Sequence, residues 1–232
     1  MKKQKKIELR RLDAILSNLG YCLRSDVAWF LHNNEVLIDN ERIFDPSFKC
    51  EHSQILLNGS KLDPQKLLIF MNKPAGYICS HDDAGVLIYS LLPERFRNRN
   101  PKISTIGRLD SDTTGAILLT DDGELNHKLA NPKKKIAKIY EAVLANELRG
   151  DETEIFASGK LILRGDDKPL QSAKLEIISP TIARLEITEG RYHQVKRMFA
   201  AVGNKVIKLH RVSFAGFSVD DLAPGEFKIL EI

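Results

Sequence analysis

One stretch of the chain places a carboxylate and a guanidinium side chain two positions apart, just before an apolar run. Residues 107–110 read Gly-Arg-Leu-Asp, and the apolar run follows at 116–119. This order predicts that Arg108 and Asp110 lie on a loop that enters a short buried strand. The local sequence leaves two interpretations of Asp110 open, because a carboxylate at such a position either caps a turn or acts as a charged group in a reaction.

The glycines around this loop do not have the spacing of a phosphate-binding loop. Neither GxxxxGK[ST] nor a GxGxxG run between a strand and a helix occurs in the chain. The three cysteines, Cys22, Cys50 and Cys79, lie about 28 residues apart, and the six histidines are scattered without metal-ligand spacing. We therefore expect no nucleotide cofactor and no metal.

Basic side chains cluster in two segments, although the net charge is only +4. Between positions 191 and 219 there are six basic residues and no acidic one, and a second cluster occupies 133–138. Such density suits neutralisation of nucleic-acid phosphates, and the alternative is a solvated lysine face. Phosphate contacts of this kind predict binding that weakens as the salt concentration rises.

The composition is that of a folded protein without a membrane span. The chain has 232 residues, 43% of them hydrophobic, which can supply a real core. Its longest apolar runs, such as 67–71, are far shorter than the roughly 20 residues that a span requires. No apolar core follows the basic residues 1–6, so we expect no secretion signal, no membrane association and a cytoplasmic location. A monomer is the expected oligomeric state.

The first 62 residues predict two helices and a few short strands. Apolar positions favour a helix over 8–20 that ends at Gly20, and Ser25 can cap a second helix. Short strands are expected at 36–38 and 42–44, and Asn58-Gly59 marks a tight turn. With Arg11 and Arg24 near the two helix starts, this pattern resembles the alpha-L type RNA-binding domain. We predict such a domain at 1–62, with a basic N-terminal tail, and a linker at 63–66.

The remaining residues, 67–232, predict a second domain of the α+β class. Strand patterns occur at 67–72, 136–145 and 173–188, the last interrupted at Ser179-Pro180. Val195, Met198 and Val202 follow helical spacing, and Gly203 ends that helix. Because no regular βαβ repeat is visible, we expect a mixed, largely antiparallel sheet.

Four motifs in this domain resemble, in order, those of the RsuA family of pseudouridine synthases. They are Asn72 to Tyr77, Gly107 to Gly123, Lys138 to Ala142 and Gly190 to Met198. The resemblance implies a cofactor-free reaction in which the bond from uridine N1 to the ribose is cleaved and the base is rejoined through C5. It also implies that the small N-terminal domain is the usual appendage of the family.

The resemblance assigns roles to individual residues. It implies that Asp110 is the catalytic carboxylate, that Lys196 pairs with it, and that Tyr140 packs against the target base, which must be extruded from the RNA. An ammonium within about 4 to 6 Å would favour the charged carboxylate. The alternatives are a solvent-facing Lys196 and an ordinary core tyrosine at 140.

Arginines are expected to hold the RNA. The resemblance suggests that Arg108 fills the gap left by the extruded base or holds a neighbouring phosphate; a salt bridge to Asp112 is the alternative. Five other arginines are expected to contact the RNA backbone, and such contacts position RNA without reading its sequence. They are Arg11, Arg24, Arg191, Arg197 and Arg211.

Within the family, three segments are most like the member that modifies small-subunit (16S) rRNA: 200–204, 209–211 and 222–226. Relatives that act on the large subunit more often have Asn and Arg where this chain has Tyr192 and His193. The expected partner is therefore ribosomal RNA, within an assembling small subunit. A large-subunit target and a non-catalytic RNA-binding assembly protein are the alternatives, and the complete set Asp110, Tyr140 and Lys196 argues against the second.

Overall fold

The computed structural model describes residues 9–231, so the basic tail expected at 1–6 lies outside the described residues. The described chain divides into two compact units. One consists of residues 9–67 and Tyr89–Ile103, and the other of Leu68–Ile88 and residues 104–231. The domain limits 1–62, 63–66 and 67–232 stay predictions.

The first unit consists of short helices and strands around a core of its own. The predicted helix over 8–20 is shorter, because Arg10 and Arg11 form a strand that pairs with Lys49–Cys50. Ser25 does not cap the second helix, since its hydroxyl donates to the carboxylate of Asp26. The elements are β1 Arg10–Arg11, α1 Leu12–Asn18, α2 Val27–Asn33, β2 Val36–Ile38, β3 Glu41–Arg42, β4 Lys49–Cys50, β5 Ile55–Leu57, β6 Ser60–Lys61 and α3 Glu94–Arg97.

Apolar side chains of α1, α2 and the β3-β2-β5-β6 sheet form this core, among them Leu12, Leu16, Leu31 and Val36. The segment Tyr89–Ile103 belongs to the same unit, because two arginines of this segment contact residues 63–65. Arg95 forms an ion pair with Asp63, and Arg99 donates to the carbonyls of residues 64 and 65. The expected linker residues are thus held by hydrogen bonds.

A mixed, mostly antiparallel sheet dominates the second unit and confirms the predicted α+β class. Nine of the strands described in residues 9–231 form it, in the order β11-β12-β10-β13-β9-β7-β15, with β8 on β9 and β14 on β13. The strands are β7 Leu68–Lys73, β8 Ser104–Ile106, β9 Thr114–Thr120, β10 Lys138–Leu144, β11 Lys174–Ser179, β12 Ile182–Ile187, β13 Val206–Phe214, β14 Phe217–Ser218 and β15 Phe227–Leu230. Helices α4 Gly123–Ala130, α5 Glu152–Ala157 and α6 Gln194–Ala201 accompany them.

The central strand β9 runs parallel to β13 and antiparallel to β7. Its residues 115–120 are all buried, as the apolar run predicted. Gly115 faces Arg211 of β13 so closely that a Cβ atom would collide with the Arg211 backbone, and its φ is +105°. This position therefore requires glycine.

Helix α6 uses its apolar positions for packing. Val195, Met198 and Phe199 are buried, and the Phe199 ring meets that of Phe156 on α5 edge to face, with centroids 5.4 Å apart. The helix is thereby fixed against its own unit, and Lys196 lies on its less buried side. In the described range 9–231, no helix has both the length and the apolar character to cross a membrane.

Candidate active site

Asp110 lies on the loop that precedes β9, as the sequence predicted, and both of its carboxylate oxygens have partners. Lys196 Nζ is 2.9 Å from Oδ2, and His193 Nε2 is 3.2 Å from Oδ1. The side chain is 29% exposed, so it is accessible from outside the protein. Asp110 is therefore a half-buried carboxylate held by one cationic and one imidazole partner, and it does not cap a turn with its side chain.

The ammonium of Lys196 is shared between two carboxylates. It also contacts both oxygens of Asp112, at 2.7 and 2.9 Å. Burial lowers the pKa of Lys196, but the hydrogen bonds to Asp112 and Asp110 more than offset this, so the pKa lies above its ordinary value. The hydrogen bond to Lys196 lowers the pKa of Asp112. Lys196 is thus a fixed cation beside Asp110, and not the solvent-facing residue of the alternative.

His193 contacts Asp110, which sequence reasoning did not predict. It precedes the first residue of α6 and has a left-handed backbone, with φ of +47°. Its ring stacks on that of Tyr192, with centroids 3.8 Å apart and an interplanar angle of 19°. The only sequence signal was its position three residues before Lys196, which puts both side chains near one end of α6.

Lys73 is a second residue whose role the sequence did not reveal. It is fully buried at the end of β7, and its Nζ donates to the backbone carbonyls of Pro74, Asp110, Ser111 and Thr113 at 2.8 to 3.2 Å. Burial lowers the pKa of its ammonium. Three of the four acceptors belong to the loop of Asp110, so Lys73 fixes the backbone of that loop from inside the protein.

Tyr140 on β10 and Arg211 on β13 form the buried side of the site. Tyr140 is 7% exposed and Arg211 is 2% exposed. Arg211 NH1 donates to the Tyr140 hydroxyl at 3.3 Å, and its Nε donates to the carbonyl of Ala116. The position of Arg211 differs from that expected of a contact with the RNA backbone, because its side chain points into the unit, between Tyr140 and β9.

These side chains surround one cavity of about 160 Å³. Its lining includes residues from the Asp110 loop, from β10, from β13 and from the start of α6: Arg108, Asp110, Lys138, Tyr140, His193, Lys196 and Arg211. The catalytic residues implied by the resemblance therefore share one cavity. Their roles in catalysis stay predictions.

Among the basic residues that line the cavity, Lys138 is the one whose pKa is changed most by burial. Burial and the nearby charge of Arg211 lower the pKa of Lys138 to about 8, while Glu189 acts in the opposite direction. Its Nζ donates to the carbonyl of Ile136. The cavity thus contains a cation that loses its charge in mildly alkaline solution.

Arg108 is exposed and lines the cavity. Within residues 9–231 it has no hydrogen-bond or ion-pair partner, and Asp112, its alternative partner, binds Lys196 instead. Arg191 and Arg197 both bind the carboxylate of Asp166, at 2.8 and 2.6 Å. Arg197 therefore ties the 164–169 segment to α6, and Arg191 ties it to the loop before α6, roles that their sequence positions did not indicate.

In the first unit, Arg11 and Arg24 both contact Asp13, at 2.8 and 3.4 Å. Their side chains are 46% and 62% exposed, so these arginines present charge at the surface. No group of three or more potential metal-ligating side chains exists among residues 9–231.

Comparisons with known proteins agree with this architecture. The family model described as RNA pseudouridylate synthase matches residues 67–201. The Ribosomal small subunit pseudouridine synthase A of Escherichia coli (strain K12) is 40% identical over 228 residues, which cover 95% of this chain and 96% of that protein. The protein of the same name from Vibrio cholerae is 38% identical over 229 residues, or 95% of each chain.

A solved structure described as a crystal structure of pseudouridylate synthase has a TM-score of 0.66 and 36% sequence identity, with 95% of this chain and 96% of that chain covered. The likeness thus extends over both units in sequence and over the whole fold. The chain belongs to the RNA pseudouridylate synthase family, is of the RsuA type, and is a pseudouridine synthase.

Proposed function

We propose that this enzyme converts one uridine of small-subunit (16S) rRNA to pseudouridine, with Asp110 as the nucleophile that attacks either the ribose or the base. The observation that supports this most is the contact of Asp110 with Lys196, at 2.9 Å on the wall of a cavity. A carboxylate that acts as a nucleophile must be charged and oriented. Lys196 supplies the compensating charge, and Lys73 fixes the backbone behind Asp110.

The size of the cavity supports extrusion of a single base. A cavity of about 150 Å³ in another protein holds one benzene ring, and the cavity here measures about 160 Å³. A uracil base has one ring of the same number of atoms. A uridine within folded RNA cannot enter such a space unless its base leaves the stack, at a cost of a few kcal/mol. Tyr140 then packs against the base.

Arg108 is the candidate for the side chain that fills the space left in the RNA by the extruded base. It is exposed at the rim of the cavity and no protein group within residues 9–231 holds its guanidinium. It can therefore insert between bases or bind a phosphate next to the target. In the first unit, the exposed Arg11 and Arg24 are candidates for contacts with the RNA backbone, as in an alpha-L type domain at 1–62.

The small-subunit target is supported by the relatives, whose name specifies the ribosomal small subunit. The relatives are 38 to 40% identical over 95% of the chain, so the aligned region includes the first unit. We expect this unit to contribute much of the choice of RNA substrate. The proposed partner is accordingly small-subunit rRNA within an assembling particle.

The test is pseudouridine mapping by carbodiimide adduct and primer extension. Small- and large-subunit RNA particles are incubated with the wild-type enzyme and with Asp110→Asn. The proposal predicts one new stop in the small-subunit RNA with wild type and none with the variant. RNA binding by Asp110→Asn should stay within about threefold of wild type, because the amide has the shape of the carboxylate.

The other outcomes separate the parts of the proposal. A stop in the large-subunit RNA alone would keep the chemistry and overturn the target. Full turnover by Asp110→Asn would overturn the assignment of the nucleophile.

A further inference from the structure

Arg211 has an unusual environment for a buried arginine. It is 2% exposed, and within residues 9–231 it forms no ion pair with a carboxylate. A buried cation without an opposite charge is costly, so buried charges are usually paired. The side chain also lies over the rings of Phe214 and Tyr140, with the guanidinium carbon 4.7 and 5.8 Å from the ring centroids.

The hydrogen bonds of Arg211 leave one nitrogen available. Nε is bound to the Ala116 carbonyl, and NH1 is bound to the Tyr140 hydroxyl. NH2 is buried and has no hydrogen-bond partner in the protein among residues 9–231. Because a buried donor without a partner is rare, this nitrogen needs an explanation. Arg211 lines the same cavity as Asp110, which supplies one.

We infer that Arg211 NH2 donates a hydrogen bond to a carbonyl oxygen, O2 or O4, of the extruded uracil and stabilises the negative charge that develops there. The inference rests on the proposed function. When the bond from N1 to C1′ breaks, its electron pair goes to the ring and spreads over N1, O2 and O4. The bond that Asp110 formed to C1′ or to the ring breaks, and its electron pair returns to the carboxylate. The ring's pair forms the new bond from C5 to C1′, after which the C5 proton leaves and N1 takes up a proton. Arg211 donates a hydrogen bond throughout and keeps its proton.

The fixed geometry suits this role. A donor that stabilises a transition state acts best when it is already aimed at the developing charge and shielded from water. The bonds to Ala116 and Tyr140 hold two of the three nitrogens of Arg211, so the guanidinium has little freedom to turn away from the cavity that it lines. Attack by Asp110 on the ribose and attack on the base both place negative charge on the uracil oxygens, so the role of Arg211 is the same in either case.

The first test compares uridine with 5-fluorouridine at the target position of the shortest RNA that the wild type modifies. Cleavage of the N1 to C1′ bond is measured by rapid quench and nucleoside analysis. Fluorine stabilises the uracil anion, so it compensates for a lost donor. Arg211→Lys keeps a positive charge but loses the planar fork. The rate of Arg211→Lys with uridine should fall by roughly 100-fold or more. The ratio of the 5-fluorouridine rate to the uridine rate should be about tenfold higher in the variant than in the wild type.

A structural role of Arg211 would lower the rates of both substrates equally, and an unchanged ratio overturns the inference. Ile177→Ala is the matched control, because this side chain is 43% exposed and lies on β11, away from the cavity lining. It should leave both rates and their ratio unchanged. A wild type that modifies no small- or large-subunit RNA would overturn the proposed function itself, whereas an active wild type with an equal ratio in Arg211→Lys would overturn only this inference.

A second test covers the case in which substitutions of Arg211 do not fold. RNA with 2-thiouridine or 4-thiouridine at the target is bound to Asp110→Asn, which is otherwise intact and should not turn over. Sulfur accepts hydrogen bonds weakly, so one of the two replacements should raise Kd by roughly tenfold. Equal Kd values for uridine and both sulfur analogues would overturn the inference.

Discussion

The Nζ atom of Lys73 lies 3.1 Å from the backbone oxygen of Asp110, although Lys73 is buried at the end of β7 and Asp110 lies on the loop before β9. Lys196 acts on the same residue from the other side, at the carboxylate. Asp110 is therefore fixed at both ends by ammonium groups, one that holds its backbone and one that balances its charge. Rigid support of this kind keeps a reactive group in a productive geometry.

Replacement of Lys73 by Met should lower the stability of the protein. The variant leaves four backbone carbonyls without the donor that they share. The carbonyls of Asp110 and Ser111 keep the backbone donors of Thr113 and Gly76, whereas those of Pro74 and Thr113 lose the ammonium of Lys73. A buried acceptor without a partner costs about 1 to 3 kcal/mol, so we expect a loss of about 2 to 4 kcal/mol in the free energy of unfolding. Urea denaturation measures this loss. A variant as stable as wild type would show that Lys73 does not hold the loop.

Replacement of Lys196 by Met should reduce kcat far more than it reduces RNA affinity. Asp110 and Asp112 then face each other without the cation between them. Loss of one electrostatic partner in an active site typically lowers kcat by roughly 100- to 1,000-fold. Single-turnover rates of pseudouridine formation measure the effect.

Asp112→Asn is the control for Lys196→Met. It removes the exposed carboxylate of the pair and leaves the contact between Lys196 and Asp110. We expect less than about a threefold change in kcat, in keeping with the small energies of exposed ion pairs. Equal losses in the two variants would contradict a specific role of the contact with Asp110.

Two glycines offer a matched pair of substitutions. Gly115→Ala puts a Cβ atom into the backbone of Arg211 at a positive φ, so the variant should lose several kcal/mol of stability, or about as much as a severe core mutation. Gly123→Ala places the same atom in open space at the start of α4 and should be neutral or stabilising by up to about 1 kcal/mol. Thermal melting of both variants tests the contrast, and similar Tm values would contradict the close approach of β9 and β13.

The charge of Lys138 predicts a pH dependence of RNA binding. Its pKa of about 8 means that the side chain is a cation below pH 8 and becomes neutral above it, whereas an ordinary lysine keeps its charge to about pH 10.5. If this cation faces the RNA, affinity should fall by roughly tenfold between pH 7 and pH 9.5. Fluorescence anisotropy at constant salt measures the change.

Lys138→Arg is the control for this titration, because arginine keeps its charge over that range. Its affinity should stay nearly constant from pH 7 to pH 9.5. A wild type without any decrease, or a variant with the same decrease, would show that Lys138 does not cause it.

The sequence by itself determined the fold class and the local elements with strong periodicity. The apolar run after Gly115 predicted β9, and helical spacing from Val195 to Val202 predicted α6, because both patterns are set by which face of an element is buried. The order of four motifs indicated the family, and the comparisons confirmed it. The pairing of Lys196 with Asp110 was expected only through that resemblance.

Only the tertiary structure decided which side chains meet at the cavity. Lys196 and Asp110 are 86 positions apart in the chain, and Arg211 is 95 positions from its acceptor on β9. Such contacts depend on strand order and register, which local periodicity does not encode. For the same reason, the sequence could not show that Lys73 supports the Asp110 loop, that His193 touches the carboxylate, or that Arg211 is buried and lines the cavity.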